Sequence, residues 1–223
     1  MLEGRRIVDL TLPIVPGEGG RPFVIERGRT EELTVHPPVD HPWYIMHKVQ
    51  TISHIGTHIE APYHCFPTGR DLGSLTLDQL IGEAAILDLS GLEPDTLVGA
   101  AELAAVSEQA GGVRRGDIVF FKTGYANRRT APEYEHRPSL TAESMRYLLE
   151  CGVKLVGTDL SGLEGPLTPN HLDCHLVLLG ADIPFIENVG NLSDLTKSRV
   201  FVCALPIPVR GLDAFPLRIV AFE

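Results

Sequence analysis

The segment His54-Ile55-Gly56-Thr57-His58-Ile59-Glu60-Ala61-Pro62-Tyr63-His64 contains three of the nine histidines of the chain and one carboxylate. Imidazole and carboxylate together are ligands typical of zinc, and of manganese or iron when more oxygen donors are present. A single histidine is more often a surface or core residue than a ligand. Three histidines that coincide with a carboxylate, a glycine and a proline at ordered spacing predict a divalent metal site.

The spacing of four between His54 and His58 also occurs in the helical zinc-protease motif, but a helix is unfavourable here. Gly56 lies between the two histidines, several neighbours are β-branched, and Pro62 ends any helix soon afterwards. Ile55 stands where that motif has its general-base glutamate. We therefore reject the zinc-protease interpretation.

An extended chain places His54, His58 and Glu60 on one face, because alternate residues of a strand point the same way. A straight strand would separate the Cα atoms of the two histidines by about 13 Å, near the limit for binding one ion. We therefore expect a bend at Gly56-Thr57, because glycine tolerates unusual dihedral angles and leaves room for an ion.

The pattern H-x-G-T-H-x-[D/E]-x-P-x-H resembles the signature of the metal-dependent cyclase-like hydrolases, the family that contains bacterial kynurenine formamidase and isatin hydrolase. The resemblance implies that His54, His58 and Glu60 bind the metal and that His64 is the catalytic acid/base. The family usually has aspartate where this chain has Glu60. The extra methylene of glutamate changes how the carboxylate reaches one or two ions.

A second cluster contains His175 and Glu187. Taken alone, His175 on an apolar helix would be a core residue, and Glu187 a surface or capping carboxylate. The family has a histidine near the start of a helix and, twelve residues on, a glutamate followed by asparagine, a spacing that His175 and Glu187-Asn188 reproduce. The resemblance implies that His175 and Glu187 complete a second metal site, whereas His171 is interpreted as structural or as a neighbour of the site.

The chain of 223 residues, 43% of them hydrophobic, is long enough for one substantial core, so we expect a single domain over residues 1–223. Strands and helices alternate, which predicts the α/β class. Strands are predicted at 5–12, 44–53, 83–89, 117–123, 153–157, 199–204 and 217–222, and helices at 74–80, 100–109 and 141–151. The alternation is too irregular for a barrel or a Rossmann unit, and the resemblance implies mixed strands and helices of the cyclase-like (swivelling β/β/α) type.

The net charge of -10 argues against binding to nucleic acid or to an anionic membrane. No apolar run approaches eighteen residues and no signal-peptide pattern is present, so neither a membrane span nor secretion is expected. The four cysteines form no C-x-x-C pair, which indicates reduced thiols and a cytoplasmic protein. Cys65 follows His64, but nothing else suggests a Cys-His nucleophile.

Residues 17–43 are rich in glycine, proline and charge, which predicts a long loop containing at most one short strand. Trp43, the only tryptophan, is interpreted either as a core anchor or as a wall of the substrate pocket, and its place just before the motif favours the wall. So long a loop needs a surface to pack on, and family members assemble as dimers or tetramers. We therefore expect a homo-oligomer in which this loop reaches a neighbouring active site.

The residues of the motif indicate a hydrolase that acts on a small-molecule amide, formamide, lactone or cyclic amide. One or two divalent ions, zinc or manganese, would activate water, and His64 would transfer its proton to the leaving atom. Two alternatives use the same residues. A metal-dependent lyase or isomerase would stabilise an enolate, and a non-catalytic metal-binding protein would need no proton-transfer histidine.

Overall fold

A mixed eight-stranded sheet that closes on itself lies at the centre of the fold. The structure is a computed structural model that describes residues 4–18, 20–28, 45–128, 130–168 and 170–223. Trp43, the predicted wall of the substrate pocket, lies outside the described residues, as does most of the predicted loop.

Twelve strands are present in the described residues. They are β1 (Ile7–Asp9), β2 (Phe23–Gly28), β3 (Met46–Thr51), β4 (His58–Glu60), β5 (Ile81–Asp88), β6 (Leu97–Val98), β7 (Ile118–Lys122), β8 (Ser139–Leu140), β9 (Leu155–Thr158), β10 (Phe185–Glu187), β11 (Arg199–Pro206) and β12 (Ala214–Phe222). The α-helices of the described part are α1 (Leu77–Leu80), α2 (Ala100–Gln109), α3 (Ala142–Cys151) and α4 (Asp173–Gly180). Short 3-10 turns occur at Pro62–His64, Leu72–Ser74, Ala126–Arg128, Pro132–His136 and Leu192–Asp194.

The strand order of the main sheet is β1-β12-β11-β5-β7-β9-β10-β4, and β4 pairs with β12 as well as with β10. Strands β5, β7, β9 and β10 run parallel, whereas the remaining pairs are antiparallel. The α/β class is confirmed, but the expectation that no barrel forms is wrong. Closure depends on the pairing of Glu60 with Ala214, from distant parts of the chain, and the spacing of strands along the sequence carries no signal for it.

Side chains on the two faces of the sheet belong to two apolar cores. In β7, Ile118 and Phe120 point to the core enclosed by the curved sheet, and Val119 and Phe121 point to the core beneath the helices. Strands β5 and β9 alternate in the same way. These strands are buried on both faces, which explains their nearly continuous apolar sequences.

Helices α2 and α3 form where the sequence predicts them. Helix α3 begins after Thr141, whose hydroxyl accepts a hydrogen bond from the Ser144 amide, and it ends at Gly152, whose φ of 77° is left-handed. Helix α1 is shorter than predicted, because residues 72–74 form a 3-10 turn and the helix begins only at Leu77. Among the described residues, no helix has the length and apolar character needed to cross a membrane.

Candidate metal centre

The motif lies on β4, the strand at which the sheet closes. Its pairing with β10 places Glu187 directly opposite His58, and Phe185 opposite Glu60. All three residues of β4 are buried. The register therefore brings the motif and the second predicted cluster together, although they lie far apart in the chain.

A bend before β4 allows His54 to turn back towards Glu60. Gly56 has a φ of 61°, and a Cβ at this position would lie 2.7 Å from Cγ1 of Ile14. Both observations restrict the position to glycine. The predicted bend at Gly56-Thr57 is confirmed. Asn188 fixes it, because its side-chain amide donates to the Gly56 carbonyl and its own carbonyl accepts from the Thr57 hydroxyl.

One group of donors surrounds Oε1 of Glu60. Nδ1 of His54 lies 2.9 Å from this oxygen and Nε2 of His58 lies 3.4 Å from it. Ligands of a tetrahedral ion with bonds of about 2.1 Å lie about 3.4 Å apart, so these separations suit a shared cation.

A second group surrounds Oε2 of the same carboxylate. Nε2 of His175 lies 3.5 Å from Glu60 Oε2 and 3.7 Å from Oε1 of Glu187. The other oxygen of Glu187 lies 3.6 Å from Nε2 of His58, so Glu187 also faces both groups. The structure thus brings all five predicted ligands together.

Two buried atoms of the five predicted ligands have no hydrogen-bond partner among the described residues, Nε2 of His58 and Oε2 of Glu60. Their residues are only 1% and 2% exposed. Buried polar atoms are normally satisfied, and an orphaned pair of a nitrogen and a carboxylate oxygen is the donor set of a divalent cation. The residues present therefore fit a metal.

Each imidazole is oriented by an acceptor at its other nitrogen. Nδ1 of His58 donates to the Gly56 carbonyl at 2.9 Å, and Nδ1 of His175 donates to Oε1 of Glu164 at 3.0 Å. Nε2 of His54 donates to Asp213 at 2.8 Å. Such contacts fix the tautomer that leaves the opposite nitrogen free for an ion.

His64 stands at the edge of the cluster, at the end of the 3-10 turn that follows the motif. Its Nδ1 lies 3.2 Å from Asp213 and its Nε2 lies 4.0 Å from Glu60 Oε2. Its side chain is 28% exposed, far more than that of His58 or His175. The structure therefore places His64 beside the predicted ligands with access to solvent.

Buried imidazoles and buried carboxylates shift one another's pKa values in this cluster. Burial opposes the charged form of His175, but its hydrogen bond to the Glu164 carboxylate, its contact with the Glu187 carboxylate and the negative charge of Glu60 raise its pKa to about 10. Burial likewise opposes ionisation of Glu60, yet its close contacts with His54 and His58 and the charges of His175 and His64 bring its pKa far below the usual range. The surroundings of both side chains therefore favour their charged forms.

Burial and nearby carboxylates raise the pKa of the Cys65 thiol, which agrees with its rejection as a nucleophile.

Two cavities meet at the cluster. One, of about 450 Å³, is lined by all the predicted ligands except His58 and by His64, with Arg21, Arg137 and His171 also on its walls. The other, of about 530 Å³, is lined largely by apolar residues of segment 12–15 and by Ile55. His54 and Ser161 line both cavities, so the cluster faces a polar and an apolar space at once.

Two residues of the site were not predicted from the sequence, Asp213 and Glu164. Asp213 precedes β12 and is held opposite the motif by the hydrogen bond from the Ala61 amide to its carbonyl. Glu164 lies in the loop before α4 and also accepts from the amides of Cys174 and His175. Neither belongs to a motif, so only the tertiary contacts identify them.

Residues 8–165 match the sequence model of the family described as "Putative cyclase". The kynurenine formamidase of Geobacillus thermodenitrificans (strain NG80-2) is 28% identical over 211 residues, which are 95% of this chain and 91% of that protein. The kynurenine formamidase of Bacillus cereus (strain ATCC 14579) is 30% identical over 167 residues, 75% of each chain.

Solved structures share the fold along almost the whole chain. Isatin hydrolase A from Ralstonia solanacearum has a TM-score of 0.79 and 25% sequence identity, over 98% of this chain and 92% of that one.

Proposed function

The chain belongs to the cyclase family, and from this premise we propose that it hydrolyses the C–N bond of a formamide or a cyclic amide with the help of a divalent cation. Its fold is the expected α/β fold of that family, and its relatives are hydrolases. The observation that carries the proposal is that five imidazole and carboxylate side chains lie together in the fold. Two buried atoms of this group, on His58 and Glu60, have no hydrogen-bond partner among the described residues.

We propose that His54, His58 and Glu60 hold one cation, zinc or manganese, and that His175 and Glu187 hold a second beside Glu60. When bound, a divalent cation lowers the pKa of water towards about 7 and polarises the substrate carbonyl. The two oxygens of Glu60 support a shared role, since each faces a different pair of imidazoles.

His64 is the proposed acid/base. Its Nδ1 contacts the Asp213 carboxylate, which leaves Nε2 directed towards the cluster. Nε2 takes a proton from the attacking water and returns it to the leaving nitrogen, so that an amide and water become an acid and an amine. The donor atoms of His54, Glu60 and His64 lie within 4.8 Å of one another, so His64 also lies near enough to be a ligand. Its greater exposure and its carboxylate partner favour proton transfer.

The two cavities suggest how a substrate is divided. The scissile bond lies in the polar cavity beside Glu60 and His64, and the apolar part of the substrate lies against segment 12–15 and Ile55. Relatives named for kynurenine formamidase and isatin hydrolase activity support a formamide or a cyclic amide as the reacting group.

We also propose a homo-oligomer, a dimer or a tetramer. Strands β2 and β3 form a two-stranded ribbon in which the paired Ile25 and Val49 are 47% and 58% exposed. A two-stranded ribbon is marginally stable by itself, and in the proposed assembly a second copy of the chain covers these residues. Four cysteines without disulfides support a cytoplasmic location.

Metal-free protein loaded with zinc or manganese and offered a panel of formamides, cyclic amides and lactones tests the function. We expect release of a free acid, which neither a lyase nor a non-catalytic protein produces. His64→Asn should retain the metal and lose about 10²–10⁴-fold in kcat, whereas His58→Ala should lose more than half of the bound metal. Full metal content in His58→Ala would contradict the proposed ligand set.

A further inference from the structure

One oxygen of Asp213 contacts two imidazoles of the site. Oδ2 lies 2.8 Å from Nε2 of His54 and 3.2 Å from Nδ1 of His64, and the two rings are 4.4 Å apart. A carboxylate can only accept hydrogen bonds, so both imidazoles must donate to this oxygen.

The backbone fixes this position independently of the side chain. Ala214 pairs with Glu60 where β12 meets β4, and the Asp213 carbonyl accepts from the Ala61 amide. A substitution of the Asp213 side chain leaves both contacts in place. Its effects can therefore be separated from loss of the closure of the sheet.

The shared oxygen determines which nitrogen of each ring carries a proton. His54 must present N–H at Nε2, which directs Nδ1 to Glu60 and the proposed cation. His64 must present N–H at Nδ1, which leaves Nε2 as the atom that can take a proton. An acceptor on the far nitrogen of a histidine orients the ring and raises its basicity.

We propose that Asp213 is a positioning residue that sets the tautomers of the ligand His54 and of the acid/base His64 together. It touches neither the substrate nor the cation. When His64 takes a proton, the adjacent carboxylate stabilises the imidazolium, as an aspartate does for a catalytic histidine elsewhere. The half of this proposal that concerns His64 rests on the proposed function, whereas the half that concerns His54 does not.

Asp213→Asn, in full-length protein, tests both halves. Titration of metal-free protein with zinc should show the first equivalent bound about 10–100-fold more weakly, as is typical when the outer partner of a ligand histidine is changed. At saturating zinc, kcat should fall about 10²-fold while KM stays within about threefold, because substrate binding is not altered. Asp213→Ala serves as a second variant, and Asp78→Asn, an exposed helical aspartate, is the matched control that should change neither quantity.

A second background separates positioning from a general structural effect. If Asp213 acts on turnover through His64, then adding Asp213→Asn to His64→Asn should lower kcat by less than about threefold. An equal loss in both backgrounds overturns the role through His64, and zinc affinity within about threefold of the parent overturns the role through His54. If the parent hydrolyses nothing on the panel, the proposed function fails, and the zinc titration alone still decides the His54 half.

Discussion

Glu164→Ala removes one carboxylate that accepts three buried hydrogen bonds. Its Oε1 accepts from the Cys174 amide at 2.8 Å, from the His175 amide at 3.2 Å and from Nδ1 of His175 at 3.0 Å. The two amides belong to the first turn of α4, which has no capping side chain of its own on Leu172. Glu164 therefore provides both the acceptor for the start of the helix and a negative charge at its positive end.

The expected loss of stability follows from the donors that remain. Each buried donor left without a partner costs about 1–3 kcal/mol, so two backbone amides give about 2–6 kcal/mol. Glu164 lines the polar cavity, and water entering from that side would satisfy part of the loss. We therefore expect the free energy of unfolding of the metal-free protein to fall by about 3 kcal/mol. With a slope typical of this size, this is a shift of about 1 M urea.

Urea unfolding of metal-free Glu164→Ala, followed by circular dichroism, measures this shift. Glu150→Ala is the matched control, because Glu150 is exposed on α3, and its free energy of unfolding should stay within about 0.5 kcal/mol of that of the parent. A midpoint for Glu164→Ala that coincides with the control would show that the carboxylate does not support α4, and the reasoning would be wrong.

Three further outcomes are expected. Asp117→Asn should lower the free energy of unfolding by about 3 kcal/mol, as measured by thermal unfolding. The change breaks an ion pair in which Arg199 donates two hydrogen bonds to the Asp117 carboxylate, and the Arg199 side chain is only 18% exposed. Because the pKa of His175 is about 10, above its unfolded value, metal-free protein should lose stability from about pH 6.5 to about pH 10, and His175→Asn should flatten that loss in urea titrations. In zinc titrations, Glu187→Gln should weaken binding of the second equivalent of zinc more than binding of the first. Unchanged affinity for the second equivalent would show that the proposed second site is wrong.

The local part of the site could be predicted from the sequence because its signal is local. Residues 54–64 carry their own bend, their own spacing and most of their ligands. The helix limits of α2 and α3 are equally local, since cap and stop residues lie within a few positions of them. Such features need only the residues next to them in the chain.

The remainder depends on contacts between distant segments. Strand β10 has only three residues and was not predicted, because its identity rests on pairing with β9 and β4. Asp213 is one of many acidic residues in the sequence, and only the pairing of β12 with β4 places it between two imidazoles. The strand pairing that closes the sheet therefore also completes the site, and a short motif does not specify this pairing.

The closure of the sheet explains how Glu60 can stand where the family usually has aspartate. The backbone of Glu60 pairs with Phe185 of β10 on one side and with Ala214 of β12 on the other. Its longer side chain therefore starts from a fixed position. Oε1 meets His54 and His58, and Oε2 faces His175. A carboxylate whose two oxygens face different imidazoles has the arrangement that a ligand shared between two cations requires. The extra methylene therefore leaves the proposed sharing intact, because the strands on either side hold the backbone of Glu60 where both oxygens can be used.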